Sequence, residues 1–456
     1  MRLRLQRYLP YLVGAGLILL CLAYWGELRS PYIEHDDWDF LLPPGWGHGY
    51  ATPWQKTLSE GRWINYLWYL GVGMHWSAQA AARAYLGLLI FFACLFGFAI
   101  EQPWKKLLVI LVVFFSPAFA QLSTWPAVLT ASALVLALAT SCFLSERALA
   151  RNIALAVFTF LAIMSYSGAA PLILLAHIYL GKVERPRQLG ASLAIYLASY
   201  ALAILAIASL NYFYHDHFGL VIENWRRPHA PQNLHDLWSN LLLQLAVFGA
   251  SMRFLWGLVL IWLVAIAVLL RSPWRWRLIC VVAASVLAFS MDTGISVLDG
   301  LGTPFRAMGW VWITLMLPML FLTDSNQKVI ANLGYLGLVW MLAVGVISWN
   351  GVYRTRKPAG DYIYALGKDL SQIRGDRSVV LVGDVRSVPP LHPLWNSPKR
   401  QIQMALLKIY GIPSRACEPG LCNHVKAYVQ THRIDDLMFD YQGQMVVYFR
   451  PGASSP

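Results

Sequence analysis

Long apolar runs separated by short polar junctions dominate this sequence and leave few folds open to it. One run extends from about Tyr8 to Leu28. Others centre near residues 80–100, 105–122, 126–144, 153–165, 168–181, 189–210, 240–270, 278–291, 309–323 and 328–348. The 153–181 stretch reads as two short spans broken at Ser165-Tyr166-Ser167-Gly168 and Pro171. The 240–270 stretch counts as one span, with room for an interfacial helix before it. A helix needs about 20 apolar residues to cross a bilayer, so the count is about eleven spans. Hydrophobic residues make up 58% of the 456-residue chain and charged residues 13%, against roughly 25% charged in a soluble domain. One water-soluble core cannot hide that much apolar surface. The chain therefore reads as a polytopic α-helical membrane protein.

The junction charges set an orientation. Arg2, Arg4 and Arg7 precede the first run. Lys105 and Lys106, Arg147 and Arg151, Lys182, Arg185 and Arg187, then Arg271, Arg275 and Arg277 fill every second junction. Positive loops stay in the cytoplasm, so the N-terminus is expected there. Segments 29–79, 211–239 and 292–308, and the tail from about 350, are expected on the far side. The basic start and the 8–28 run also fit a signal peptide. No small-x-small cleavage site precedes the polar stretch at Ser30, which favours a retained helix.

Residues 1–349 then form a membrane domain and residues 350–456 a soluble one. In the tail, charges and prolines return, and 361–374 looks helical. Ser378-Val379-Val380-Leu381-Val382-Gly383-Asp384 reads as a buried strand ending in a turn. Residues 399–410 suit an amphipathic helix and Met445–Phe449 another strand, making a small α/β domain. Cys417 and Cys422 are close enough in the tail to pair in an oxidising compartment. The net charge of +13 fits positive-inside loops and contact with anionic lipid headgroups. Nucleic-acid binding is a poor reading, because the basic residues sit in short scattered loops and form no single face.

The first outer loop is the segment richest in chemistry. It carries Glu34-His35-Asp36-Asp37-Trp38-Asp39, a Pro43-Pro44-Gly45-Trp46-Gly47-His48 stretch, and Ser59-Glu60-Gly61-Arg62-Trp63. Clustered carboxylates raise one another's pKa and suit one member to proton abstraction; a solvated acidic loop is the plainer reading. Arg62 and Arg306, each at the outer mouth of an apolar run, fit either bidentate phosphate contacts or snorkelling anchors. Tyr166 breaks an apolar run near the outer face, as a cavity wall or a polar kink. His215-Asp216-His217, or His35 with Asp36 and Asp37, would suit a divalent cation, but no further ligand has motif-like spacing. No glycine-rich phosphate loop follows Val382-Gly383-Asp384.

One span, then Asp36-Asp37 in an outer loop, then Gly61-Arg62 leading into a helix resembles the Gtr-type glucosyltransferases of bacterial O-antigen modification. These belong to the GT-C superfamily of membrane glycosyltransferases. Phe115-Ser116-Pro117-Ala118-Phe119 with Gln121-Leu122-Ser123, and Ser165-Tyr166-Ser167, also look like that family's pattern. The likeness covers roughly residues 1–320. It implies a GT-C-like enzyme of a bacterial inner membrane, its tail periplasmic. Such an enzyme passes a sugar, glucose in that family, from a polyprenyl-phosphate donor to a lipopolysaccharide or other lipid-linked glycan. It implies Asp37 or Asp36 as general base, Arg62 and Arg306 on the lipid phosphate, and Trp38, Trp46 and Trp63 walling the sugar pocket, with Asp39 and Tyr166 beside them. The pattern demands no cofactor, and a divalent cation stays open. A donor synthase and a flippase are the expected functional partners. The sequence departs from the pattern at Trp38-Asp39 and in the Pro/Gly/His-rich stretch before Gly61-Arg62.

Two rival classes handle the same lipids. A transporter or flippase should carry charges within its spans, and these runs are nearly charge-free. An O-antigen polymerase should have its long outer loop mid-chain. A membrane acyltransferase with a His-x-x-x-x-Asp pair is missed by one residue at His35 and Asp39. In a transferase, Asp36 or Asp37 should face a cavity shared with Arg62 or Arg306.

Overall fold

The computed structural model describes residues 29–46, 52–375, 377–394, 397–432, 434 and 437–450. The first apolar run, the helix expected over 8–28, lies outside them. Short helices α1 (Pro53–Glu60) and α2 (Trp63–Gly71) follow the first outer loop. Then come α3 (Ala78–Phe98), α4 (Pro103–Phe114), α5 (Pro117–Leu122), α6 (Pro126–Phe143), α7 (Ala148–Ile163), α8 (Ala170–Leu180) and α9 (Pro186–His215). The membrane part is completed by α10 (Leu234–Met252), α11 (Trp256–Leu269), α12 (Arg275–Asp299), α13 (Gly309–Leu322) and α14 (Lys328–Ile373). Proline opens α1, α4, α5, α6 and α9. It fits the first turn, where its missing N–H would have no partner anyway.

Among the described residues, five helices are long and apolar enough to cross a membrane, or six if the bent pair α10–α11 is one span. α7, the segment around α8, and α13 are shorter apolar helices. The architecture is compatible with a helical membrane protein. α10 shows the reason: it wears its polarity inside out. Asn240 donates to the His229 and Val297 carbonyls, and Gln244 accepts from the Thr303 N–H. Leu234, Trp238, Leu242 and Leu245 point outward, Leu234 being 84% exposed. In water that arrangement would leave an apolar stripe bare, whereas a hydrocarbon solvent reverses the preference.

Two expected spans are interrupted. The 105–122 run divides into α4 and α5 at Phe115-Ser116, because Pro117 has no N–H to continue the ladder. The 240–270 run breaks at Arg253–Leu255. The expected break after residue 163 is present. Its freed groups are satisfied from α2 and α6: Asn65 donates to the Ser165 carbonyl at 3.0 Å, and Ser132 to the Ser165 hydroxyl at 3.0 Å.

α14 has 46 residues, about 69 Å at 1.5 Å per residue, so it runs on well past any bilayer. The boundary expected at residue 350 falls inside it, and the helix expected over 361–374 is its last turns. The tail continues with β1 (Val379–Gly383), α15 (Pro398–Tyr410), β2 (Ser414–Ala416), α16 (Pro419–His432), β3 (Met438–Tyr441) and β4 (Gln444–Phe449). The sheet order is β2-β1-β4-β3, with β1 parallel to β2 and β4 and β3 antiparallel to β4. Alternate residues of β1 serve opposite faces. Val379 and Leu381 join the main core, while Val380 and Val382 pack with Val425 and Val429 of α16. A disulfide joins Cys417 and Cys422.

Candidate functional site

The outer loop 29–46 is packed inward. Tyr32, Ile33, Trp38, Phe40, Leu41 and Leu42 are all buried. The Glu34 N–H donates to the Thr124 carbonyl at 2.9 Å, and Trp38–Phe40 form one turn of 3-10 helix. Apolar burial on both sides of the acids therefore drags the carboxylates out of bulk water, and the three aspartates find partners.

Asp37 is wholly buried. Its two oxygens accept the backbone N–H groups of Val128 at 2.6 Å and Ala127 at 2.8 Å. Trp125, at the N-cap of α6, makes no side-chain cap, so a carboxylate 90 residues earlier in the chain caps that helix and meets the positive end of its dipole. Both of its oxygens are committed to the fold.

Asp36 differs. One oxygen accepts Trp125 Nε1 at 2.7 Å and the other accepts Lys56 Nζ at 3.1 Å, and the side chain keeps 20% of its surface. Burial pushes its pKa up, but Lys56, His35 and the Trp125 N–H outweigh that and hold it well below the usual carboxylate range. Lys56 also donates to Glu60 at 2.8 Å, and Glu60 pairs with Arg62 at 2.6 Å and with Arg226. Burial raises the Glu60 pKa, yet Arg62, Lys56 and Arg226 bring it down to about 2. The result is a continuous charged chain, Asp36–Lys56–Glu60–Arg62.

Two glycines aim the arginines. Gly61 ends α1 at φ 67°, and a Cβ there would lie 2.8 Å from Ile207 Cδ1, so only glycine turns the chain this sharply against α9 before Arg62. A Cβ on Gly168 would lie 2.8 Å from the Ala307 carbonyl oxygen. Its absence lets the turn after Tyr166 nest against the turn that carries Arg306. Arg62 stacks 5.5 Å from the Tyr166 ring centre, and Arg306 stacks 5.1 Å from that of Trp125. Trp125 thus touches both Asp36 and Arg306.

Tyr166 and Arg306 line the mouth of a cavity running into the membrane part. Its walls include Tyr85, Leu89, Phe119, Leu129 and Leu136, and it holds about 390 Å³ of space, its opening included. Its lining is mostly apolar, with Ser132, Tyr85, Tyr166 and Arg306 as its polar side chains.

The remaining expected site residues fall in four places. Trp63 is buried, donates Nε1 to Asn211 at 2.9 Å, and joins Trp54, Tyr66, Tyr214 and His215 in an aromatic cluster. Trp38 is buried, and its Nε1 has no partner among the described residues. Trp46 is 50% exposed at the loop's edge. Asp39 is taken by the tail: Arg400 of α15 meets its two oxygens at 3.0 and 3.2 Å. That pairing leaves Asp39 facing a protein cation where a substrate contact was expected.

Lys56, Glu60, Arg226, Trp125 and Arg400 were not singled out from the sequence. Only the four-residue spacing of Lys56 and Glu60 on one helix was a readable signal. Asp292 of α12, which accepts Trp310 Nε1 at 2.8 Å, was also missed, although an acid in an apolar helix marks itself. His215 bonds the Thr57 hydroxyl at 2.7 Å and stacks on Trp54. Among the described residues no three His, Cys, Asp or Glu side chains converge as for a metal ion. The aspartates of the acidic loop bind N–H groups or protein cations. No family model matches the chain, and no curated protein or solved structure does either.

Proposed function

We propose that this protein is an inverting membrane glycosyltransferase of GT-C-like architecture with about eleven spans. It moves a sugar, glucose by the family likeness, from a polyprenyl-phosphate donor to a cell-surface glycan such as the O-antigen. One observation carries the reading: Arg306 and Tyr166 line an apolar cavity, Arg62 stacks on that Tyr166, and Trp125 joins Arg306 to the ionised Asp36. The apolar cavity suits the isoprene end of the donor nearest its phosphate, the phosphate suits Arg62 and Arg306, and the acceptor hydroxyl suits Asp36. The hydroxyl oxygen attacks C1 of the sugar from the side opposite the phosphate. Its proton passes to Asp36, and the C1–O bond breaks with its electrons going to the phosphate, where the arginines stabilise the charge. Arg62 has five N–H donors, enough to keep Glu60 and still meet a phosphate oxygen. The base is assigned to Asp36 because its side chain keeps 20% of its surface, whereas Asp37 is wholly buried with both oxygens capping a helix.

The Cys417–Cys422 disulfide supports a tail on the oxidising, periplasmic side of a bacterial inner membrane, with the N-terminus cytoplasmic. A lipid-linked donor reaching that face has to be made in the cytoplasm and turned over, so a donor synthase and a flippase are its functional neighbours. Asp292 inside a candidate span favours a second reading, a transporter of lipid-linked glycans.

Tail length tests the cavity's role. With donors of shortened isoprenoid in one detergent, KM is expected to rise steeply once the tail is cut back to the few isoprenes nearest the phosphate, each buried CH2 being worth about 0.8 kcal/mol. A KM independent of tail length contradicts this use of the cavity.

A further inference from the structure

We propose that the tail domain holds the base-bearing loop in its working position through the Arg400–Asp39 ion pair, making Arg400 a positioning residue for sugar transfer. The inference rests on Asp36 being the base. Among the described residues, α15 reaches the membrane part at three polar points. Gln401 donates to the Ile33 carbonyl at 2.7 Å and Lys408 to the Met74 carbonyl at 2.9 Å. Both contacts are to backbone and take no notice of side chains. Arg400 alone grips a loop side chain, meeting both oxygens of Asp39.

Besides Arg400, contacts hold the loop upstream, at Asp36 itself through Trp125 and Lys56, and downstream, where Tyr69 meets the Leu42 carbonyl. The Glu34 N–H is held by the Thr124 carbonyl, and Asp37 is held by the start of α6. Asp36 lies between those two points. The 3-10 turn that follows, Trp38–Phe40, bonds back to Asp37 through the Phe40 N–H at 3.1 Å. Rotation of that turn is therefore felt at Asp37 and its neighbour Asp36, and Arg400 is what stops the rotation from the tail side. The Asp39 side chain has no exposed surface, whereas Arg400 keeps 31% of its own. A buried carboxylate that loses its cation either takes up a proton or leaves its site, and each alternative reshapes the loop.

The charged groups facing Asp39 come from three elements: Arg400 of α15, Lys56 of α1, and Asp36 and His35 of its own loop. Tyr69 of α2, which donates to the Leu42 carbonyl at 2.9 Å, completes the surroundings. Burial pushes the Asp39 pKa up, Arg400 pulls it back, and the balance with the other charges stands at about 6. The clamp is charged above that pH and weakens below it. Without the Arg400 charge, Asp39 holds its proton to higher pH.

The test uses the full chain and measures transfer from polyprenyl-phosphate-linked glucose across pH, with hydrogen exchange of residues 33–42 as a second readout. Arg400→Ala is expected to lower kcat about 10- to 100-fold with donor KM little changed. It is also expected to move the acid limb of the pH profile upward and raise exchange in 33–42. Arg400→Lys should return the limb towards its wild-type position without the full rate, because an ammonium replaces one charge but not the fork. Asp39→Asn, which leaves no group to titrate, should abolish the limb near pH 6. An unmoved limb in Arg400→Ala, or unchanged exchange in 33–42, overturns the proposal. If wild type transfers no sugar while exchange still responds to Arg400→Ala, the link to transfer is overturned and the clamp alone survives, which separates this failure from that of the transferase reading.

Discussion

Asp36→Asn is expected to lower sugar transfer by about 10²- to 10⁴-fold, the usual contribution of a positioned general base. The loss should fall on kcat, because Asp36 meets the acceptor proton only as the bond forms and donor binding is left to the arginines and the cavity. The size of Asn suits the site, and the Trp125 N–H can still donate to its oxygen, so the folded protein should survive. Asp37 gives the opposite pattern. Its oxygens hold the Ala127 and Val128 N–H groups, and an N-cap of this kind is worth about 0.5–2 kcal/mol. Asp37→Ala should therefore lower the thermal midpoint and the yield of folded protein while transfer per folded molecule stays near wild type. Steady-state kinetics beside a melting curve on both variants separate the two. A normal rate in Asp36→Asn, or a dead but fully stable Asp37→Ala, reverses the assignment.

Arg62→Ala and Arg306→Ala are each expected to cut transfer by about 10²- to 10³-fold, the usual effect of removing one donor from a site where charge builds on a leaving group. Both should also weaken binding of free polyprenyl phosphate, measured by calorimetry or competition, since the product carries the charge they meet. The two residues are not equivalent. Arg62 is tied to Glu60 and flanked by Tyr166, so Arg62→Ala also frees Glu60 to pull on Lys56, the partner of Asp36. Arg306 stacks on Trp125 and reaches Asp36 only through that ring. Arg62→Ala should accordingly disturb the pH profile of transfer, whereas Arg306→Ala should scale the rate at all pH values. The double variant should lose less than the product of the singles, because the two act on one phosphate. If either single variant binds polyprenyl phosphate and transfers sugar like wild type, that arginine is an interfacial anchor.

Local features of the molecule were legible in the sequence, and features made by distant segments were not. Apolar runs declared most helices because lipid and protein interior impose the same apolar demand along a continuous stretch. The break around Ser165 was visible as small polar residues before Pro171. The strand at Val379 was visible as an unbroken apolar run rich in valine. The acid cluster at 34–39 announced a loop with chemistry, yet nothing local told Asp36 from Asp37. They are neighbours with identical side chains, and what separates them is Trp125 and the start of α6, some 90 residues away. The pairing of Asp39 with Arg400 spans 361 positions, and no spacing rule reaches that far. Glu60 was hidden for the same reason: one of its three cations comes from the loop at Arg226. The continuity of α14 past residue 350 was missed because Pro358 and a return of charge look like a domain boundary, while the helix carries Pro358 without ending.

The most direct measurement is made on the purified full chain in a bilayer, given polyprenyl-phosphate-linked glucose and a glycan acceptor. Both products are then followed, with the anomeric configuration of the new bond read by NMR. The account requires free polyprenyl phosphate to appear in step with a new glycosidic bond of inverted configuration. Retention of configuration, or donor that crosses the bilayer with its sugar still attached, would contradict it.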